Sequence, residues 1–293
     1  MHDRHIKFLL IMPAFALVTL TILYPLGYAV SVSFMDWRLS RSRAPTDFVG
    51  LQNYVRAFTD DPSFWNSMQV TIIFVLGSVL GAVFFALLIA LLLSRQGTVY
   101  SITRSIVALP FAMSPALQGT SFRFFLNPEF GIFDRIIDKL LPFAASIDWL
   151  GSGFWAMTWL IITDIWNWAP FLSLMMIAGL LSIPKETLDA AAVDGASSWK
   201  RFWTIILPLL APVLAITCVL KAIFSFKMFE YVYLLTGGGP GEKTSTMTFY
   251  AYRQGFVAYD MGYSSAVAVL LAVLLVFVSL VYFRLIFPKD GET

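Results

Sequence analysis

Cysteine, histidine and charge are all scarce in this 293-residue chain, and each scarcity removes a class of function. One cysteine, Cys218, leaves no internal disulfide and no cysteine-based metal cluster. The two histidines, His2 and His5, lie in the N-terminal tail with no second ligand cluster nearby. Charged residues make up 13% of the chain, against about 25% in a soluble domain. A formal net charge of +2 is too small to imply nucleic acid as a partner. Neither His-Glu-x-x-His nor Gly-x-Ser-x-Gly occurs, so no hydrolytic apparatus is visible.

What is abundant is apolar: 58% of residues, with 16% aromatic. A polytopic membrane protein follows, since a crossing takes roughly 20 apolar residues. The sequence predicts an all-α membrane protein, a single domain over 1–293, with six transmembrane helices near 8–34, 66–93, 105–126, 154–181, 208–235 and 262–287. The first apolar run exceeds the ~7–15 residues of a signal-peptide core and reads as a retained span. The third carries Pro110, Pro115 and Arg123. "FVGLQNYVRAF", from Phe48 to Phe58, reads as a helix lying along the surface. Trp65, Trp149, Trp155 and Tyr263 fall near span ends, as interfacial anchors do.

Six spans put both termini on one side, but the positive-inside rule does not choose it. Nine of the twenty Lys and Arg fall on the side of the termini, nine opposite, and Lys221 and Lys227 lie within a span.

"GGGPGEKTST", Gly237 to Thr246, resembles a phosphate-binding loop. That loop needs glycine immediately before its lysine, between a strand and a helix. Here the position is Glu242, an anion where phosphate would sit, so the glycines read as a tight chain reversal.

Between spans four and five, "SIPKETLDAAAVDGASSWKRFWTIILPLLAP" predicts helix–turn–helix outside the bilayer. Pro184 suits a first turn, Lys185 to Val193 a short helix, and Gly195 a left-handed cap. Ser197 or Ser198 caps a second helix, Trp199 to Leu207, and Pro208 opens span five. Asp189-Ala190-Ala191, then Gly195, then Ile205-x-Leu207-Pro208 is similar to the EAA loop of permease subunits in ATP-binding-cassette importers. The chain resembles the maltose and glycerol-3-phosphate branch of that family along nearly its whole length. "FVGLQNY", "LPFAMSPAL", "FLNPEFG", "SIPKETLDAAAVDGA" and "LLTGGGP" carry the likeness. Asp189 stands where the family usually has Glu, which keeps the charge and shortens the reach.

The resemblance implies a bacterial or archaeal cytoplasmic (inner) membrane protein with both termini cytoplasmic. Loop 183–207 would couple to a separate ATPase through Asp189, Ala190, Ala191, Asp194, Gly195, Leu207 and Pro208. It further implies a heterodimer with a second homologous permease, two ATPase subunits, and an extracytoplasmic substrate-binding protein near Gly238, Gly239 and Pro240. The chain itself would hold no cofactor or metal and have no catalytic residue; ATP and Mg would be used by the ATPases. The substrate would be a carbohydrate or derivative, neutral or anionic.

Ionisable residues within spans point to the path: Asp164, Lys221, Lys227 and Glu230. At 1.5 Å per residue, Asp164 lies ~27 Å up span four from Ser182, Lys227 ~28 Å up span five from Pro208, and Lys221 ~20 Å, which levels Asp164 with Lys227. The resemblance implies that Asp164, Asn167, Trp168, Phe171, Lys221, Phe224, Ser225 and Met228 line the sugar path, with Lys227 beside them. Against this, the aromatic residues equally suit helix packing, and Lys227 and Glu230, at i and i+3, suit a mutual pair. A self-sufficient secondary transporter is the alternative, although it leaves the helix–turn–helix without a role. An intramembrane enzyme lacks a nucleophile–base or metal signature.

Overall fold

The computed structural model describes residues 2–140 and 147–286, and most of them are helical. In chain order the helices are α1 (His2–Val18), α2 (Tyr24–Ser33), α3 (Gln52–Thr59), α4 (Pro62–Leu93), α5 (Thr98–Val107), α6 (Leu109–Ala112) and α7 (Pro115–Phe125), then α8 (Ile132–Leu140), α9 (Gly153–Leu181), α10 (Lys185–Val193), α11 (Ser198–Arg201), α12 (Leu207–Phe226), α13 (Met247–Tyr252) and α14 (Met261–Ile286). One two-residue ribbon pairs β1 (Met35–Asp36) antiparallel with β2 (Asp47–Phe48). Among the described residues, five helical stretches are long and apolar enough to cross a membrane: Leu10–Ser33, Pro62–Leu93, Gly153–Leu181, Ser198–Phe226 and Met261–Arg284. The last expected position of span six, 287, and the basic residue Lys289 lie outside the described residues.

Two of these stretches run through wide turns. π-Helical turns at Thr19–Leu23 and Phe202–Ile206 join α1 to α2 and α11 to α12 without a break. Each is followed by a residue whose N–H bonds five positions back, Tyr24 to Thr19 and Leu207 to Phe202, and then by a proline, Pro25 or Pro208. Proline has no N–H to give the ladder, and the wider turn accommodates that gap. The second loop helix therefore does not end at Leu207 as expected; it continues into span five.

The expected third span, 105–126, is not one helix. Pro110 and Pro115 divide the stretch into α5, α6 and α7. Ser114 is extended, with ψ 140, because a residue preceding proline is pushed out of the helical region, and Met113 before it is extended as well, with ψ 141. Ser114 then caps α7, its Oγ accepting from the Leu117 N–H. Span five also stops short of 235: α12 ends at Phe226, residues 227–229 are not helical, and helical turns resume to Thr236.

The chain divides into two compact units, Met1–Trp65 with Tyr250–Leu274, and Asn66–Phe249 with Leu275–Thr293. In the first, Asp61 caps α4. Its Oδ1 accepts from the Ser63 and Phe64 N–H groups at 3.0 and 3.2 Å, with Pro62 opening the helix. Its Oδ2 accepts the hydroxyls of Tyr250 and Tyr263. The Arg56 guanidinium lies 3.9 Å over the Tyr263 ring and donates to Asp260 at 2.8 Å. A cavity of about 710 Å3, lined in part by Asp36, Arg38, Arg56, Asp60 and Asp260, opens in this unit; none of the expected path residues lines it.

Burial raises the pKa of Asp61, but the hydrogen bonds from Tyr250, Tyr263 and the Phe64 and Ser63 N–H groups outweigh it and hold the carboxyl below its ordinary value. A depressed carboxylate stabilises the fold above its unfolded pKa, ~3.9, and loses that contribution as pH falls through the lower, folded value. Detergent-solubilised wild-type protein should therefore melt at a higher temperature than Asp61→Asn at neutral pH, and the gap should close below about pH 4. A gap that is absent at neutral pH, or that widens on acidification, contradicts this.

In the second unit, α4 packs on α9 through small residues. A Cβ at Gly77 would come within 2.7 Å of Ile161 Cδ1, and one at Gly81 within 2.2 Å of Ile165 Cδ1. Ala82, Ala86 and Ala90 repeat at helical spacing in one buried cluster with Trp168, Leu172 and Met176. Apolar side chains gain little by leaving lipid for one another, so close backbone approach supplies the packing.

Candidate functional site

Three side-chain groups of the second unit meet where α9, α12 and the broken segment 108–114 come together. The innermost is charged. Lys221 Nζ donates to Asp164 Oδ2 at 2.6 Å and to Ser225 Oγ at 2.8 Å, with both charged side chains at 0% exposure. Ser78 of α4 donates to the same Asp164 oxygen and lies 3.2 Å from Ser225 Oγ. Asp164 Oδ1 is buried with no hydrogen-bond partner. The depth count was therefore misleading: Asp164 meets Lys221, not Lys227. The offset between them, ~7 Å by helical rise, is covered by helix inclination and the lysine's four-carbon stem.

The second group holds the broken segment. The Asn167 amide donates to the Pro110 carbonyl at 3.0 Å, and the Gln118 amide donates to the carbonyls of Pro110 at 2.7 Å and Met113 at 3.2 Å. Tyr231 donates to Gln118 Oε1. A proline-broken helix in the membrane must have its freed carbonyls satisfied by side chains, and Asn167 and Gln118 do this.

The third group is aromatic. Phe111 stacks on Phe171 with centroids 4.2 Å apart, meets Trp168 edge-on at 5.3 Å, and Trp168 meets Phe224 at 4.7 Å. Trp168 is buried, Phe171 half-buried, and Phe111 and Phe224 are exposed at 36% and 42%. Lys221 Nζ lies 5.1 Å from the Trp168 ring centroid.

The expected path residues thus separate. Asp164, Asn167, Trp168, Lys221, Ser225 and Met228 are buried; Phe224 and Lys227 are accessible and Phe171 partly so. Met228 is held by its backbone, whose carbonyl accepts the Thr248 hydroxyl at 2.6 Å. Lys227 does not pair with Glu230; its Nζ lies 5.8 Å from the Phe224 centroid. Ser78, Phe111, Gln118 and Tyr231 were not singled out from sequence. A buried amide three residues after Pro115, beside a double proline break, was the available signal for Gln118.

In the loop after α9, Gly195 takes φ +76. Its N–H bonds the Ala192 carbonyl at 3.1 Å and the Ala196 N–H bonds the Ala191 carbonyl at 2.9 Å, closing α10 in a Schellman motif. Ser197, rather than Ser198, caps α11. Asp189, Ala190, Asp194, Gly195 and Pro208 are exposed and Ala191 and Leu207 half-buried. Around "GGGPGEKTST", a helical turn, not a strand, precedes the glycines. Gly237, Gly238 and Gly241 have positive φ, Gly238 is buried against Phe249, and Gly239 and Pro240 are half-buried.

The model of the binding-protein-dependent transport system inner membrane component family matches residues 4–289. The chain belongs to that family. It is 36% identical over 292 residues to the sulfoquinovosyl glycerol transport system permease protein SmoG of Agrobacterium fabrum, covering 98% of this chain and 92% of that one. It is 32% identical over 282 residues to the trehalose/maltose transport system permease protein MalF of Thermococcus litoralis, with 96% and 94% covered. In fold it is similar to a chain of a bacterial ABC transporter that imports the acidic polysaccharide alginate, with TM-score 0.83, 20% identity, and 99% and 98% covered. This permease is accordingly a multi-pass membrane component of a binding-protein-dependent ABC importer of the sugar-permease type.

Proposed function

We propose that this permease forms half of the translocation path of an ATP-driven importer for a carbohydrate or carbohydrate derivative. The observation that carries the reading is the convergence of two helix interruptions, at 113–114 and 227–229, on one aromatic cluster with exposed faces. Interrupted helices occur at membrane depth where they line a cavity or are buried in protein. Aromatic faces suit the C–H surfaces of a sugar, and hydrogen-bonding side chains suit its hydroxyls. Asp164 Oδ1 is buried with no hydrogen-bond partner, an acceptor left unsatisfied in this arrangement of the helices. The interrupted stretch 98–125 is the sixth crossing, and both termini are cytoplasmic.

A second, homologous permease completes the path. The exposed helix–turn–helix Ser182–Pro208 docks on a separate ATPase, one of a pair that uses ATP and Mg. Gly239 and Pro240, on the opposite side, meet the substrate-binding protein. This chain carries no nucleotide site, so the isolated, purified permease should neither bind nor hydrolyse ATP, while the assembled complex in proteoliposomes should couple hydrolysis to carbohydrate uptake. Nucleotide turnover by the isolated chain, free of contaminating ATPase, would defeat this reading.

A further inference from the structure

The two lysines at the end of span five sit in opposite environments. Lys221 is enclosed, and Asp164 neutralises it at 2.6 Å. Lys227, six residues on, is exposed at the first position beyond α12. Its backbone is pinned, with the N–H donating to the Phe224 carbonyl at 3.2 Å and the next N–H to the Ser225 carbonyl at 3.2 Å. Its side chain projects beside the exposed Phe224 ring, 5.8 Å from the centroid. Lys221 is bridged to Asp164, and Arg38 and Arg56 to Asp260, whereas Lys227 has no carboxylate within bridging distance among the described residues.

An unpaired ammonium is unfavourable against hydrocarbon, so this face meets water, a ligand or the second permease rather than lipid. A lysine just past a helix end also complements the helix dipole. That interaction accounts for a positive charge at this position, but not for its placement over an exposed ring. The ring offers a flat apolar face, and the ammonium a point charge beside it.

We infer that Lys227 selects for charge: the substrate is a carbohydrate derivative bearing a sulfonate, phosphate or carboxylate, its ring lying on Phe224 and its anionic oxygen meeting Lys227 Nζ. This rests on the preceding reading that the aromatic cluster faces the path. Lys221, neutralised internally, takes no part in reading the charge.

The test uses the complete complex, this chain with its partner permease, ATPases and binding protein, in proteoliposomes. The probes are sulfoquinovosyl glycerol, glycerol 3-phosphate and an alginate pentasaccharide as anions, and maltose and trehalose as neutral sugars. Uptake of at least one anionic probe is expected. Lys227→Met should lower that uptake about tenfold or more, the worth of one charge-assisted hydrogen bond, at wild-type complex yield, and Lys227→Arg should retain most of it. Uptake of neutral probes alone, or anion uptake unchanged in Lys227→Met, overturns the charge assignment and leaves the carbohydrate reading standing. Uptake of no probe by the wild type overturns both. Should Lys227→Met fail to assemble, Lys227→Gln carries the same comparison. Loss of assembly in both makes Lys227 a structural residue and overturns the inference.

Discussion

Lys221→Met is expected to abolish most assembled permease, and adding Asp164→Asn is expected to restore it. In the wild type the Lys221 ammonium and the Asp164 carboxylate are both fully enclosed, 2.6 Å apart. Removing the cation alone leaves the carboxylate with the Ser78 hydroxyl and no opposite charge. Stranding a buried charge in this way costs ~3–5 kcal/mol, a large fraction of a typical total stability of ~5–15 kcal/mol. Replacing both charges with neutral groups of similar size removes that penalty, because a buried pair is of little net benefit over a well-packed apolar one. Asparagine also keeps an acceptor for Ser78. Yield and melting temperature in detergent, measured for both single variants and the double, decide the matter. Wild-type yield in Lys221→Met, or a double variant as poor as Lys221→Met, would show that the pair does not hold this unit together.

Gly195→Leu should sever transport from ATP hydrolysis while the membrane helices still insert. Gly195 has φ +76, and nothing lies within 4 Å of where a Cβ would stand. The obstacle is therefore backbone conformation and not collision. A side chain in the left-handed region costs ~1–2 kcal/mol, enough to open the Schellman turn and re-aim α10 but too little to unfold the protein. Asparagine, which tolerates that region, should be the mildest replacement. Substrate-stimulated ATPase activity of the reconstituted complex is the readout. Normal stimulation in Gly195→Leu would remove this turn from the coupling surface.

Much of the frame was legible because it depends on near neighbours. Apolar length marked five of the helices, and Pro184, Val193 and Gly195 bounded α10 by local rules of helix start and stop. The third span misled because its apolar content is read over a window, whereas Pro110 and Pro115 act at single bonds. The Asp164–Lys221 pair was legible only as one alternative, because counting rise along two helices, which levels Asp164 with Lys227, ignores their inclination and the reach of lysine. Ser78 gave no signal, since one serine in an apolar helix reads as close packing. Asp61, Tyr250 and Tyr263 were out of reach for another reason: their contacts join positions 189 and 202 residues apart, and nothing in any of the three local sequences announces the others.

The wide turn at Phe202–Ile206 fixes an angular relation between the two ends of span five. One residue more than an α-helical turn is stored between α11 and α12, and each residue of an α-helix advances the facing direction by ~100°. The turn is thus a phase shifter. It sets the azimuth at which Trp199 and Trp203 present themselves relative to Lys221 and Phe224, independently of how the helix tilts. Removing the extra residue would turn the loop end relative to the Phe224 end by ~100° about the helix axis while leaving the tilt unchanged.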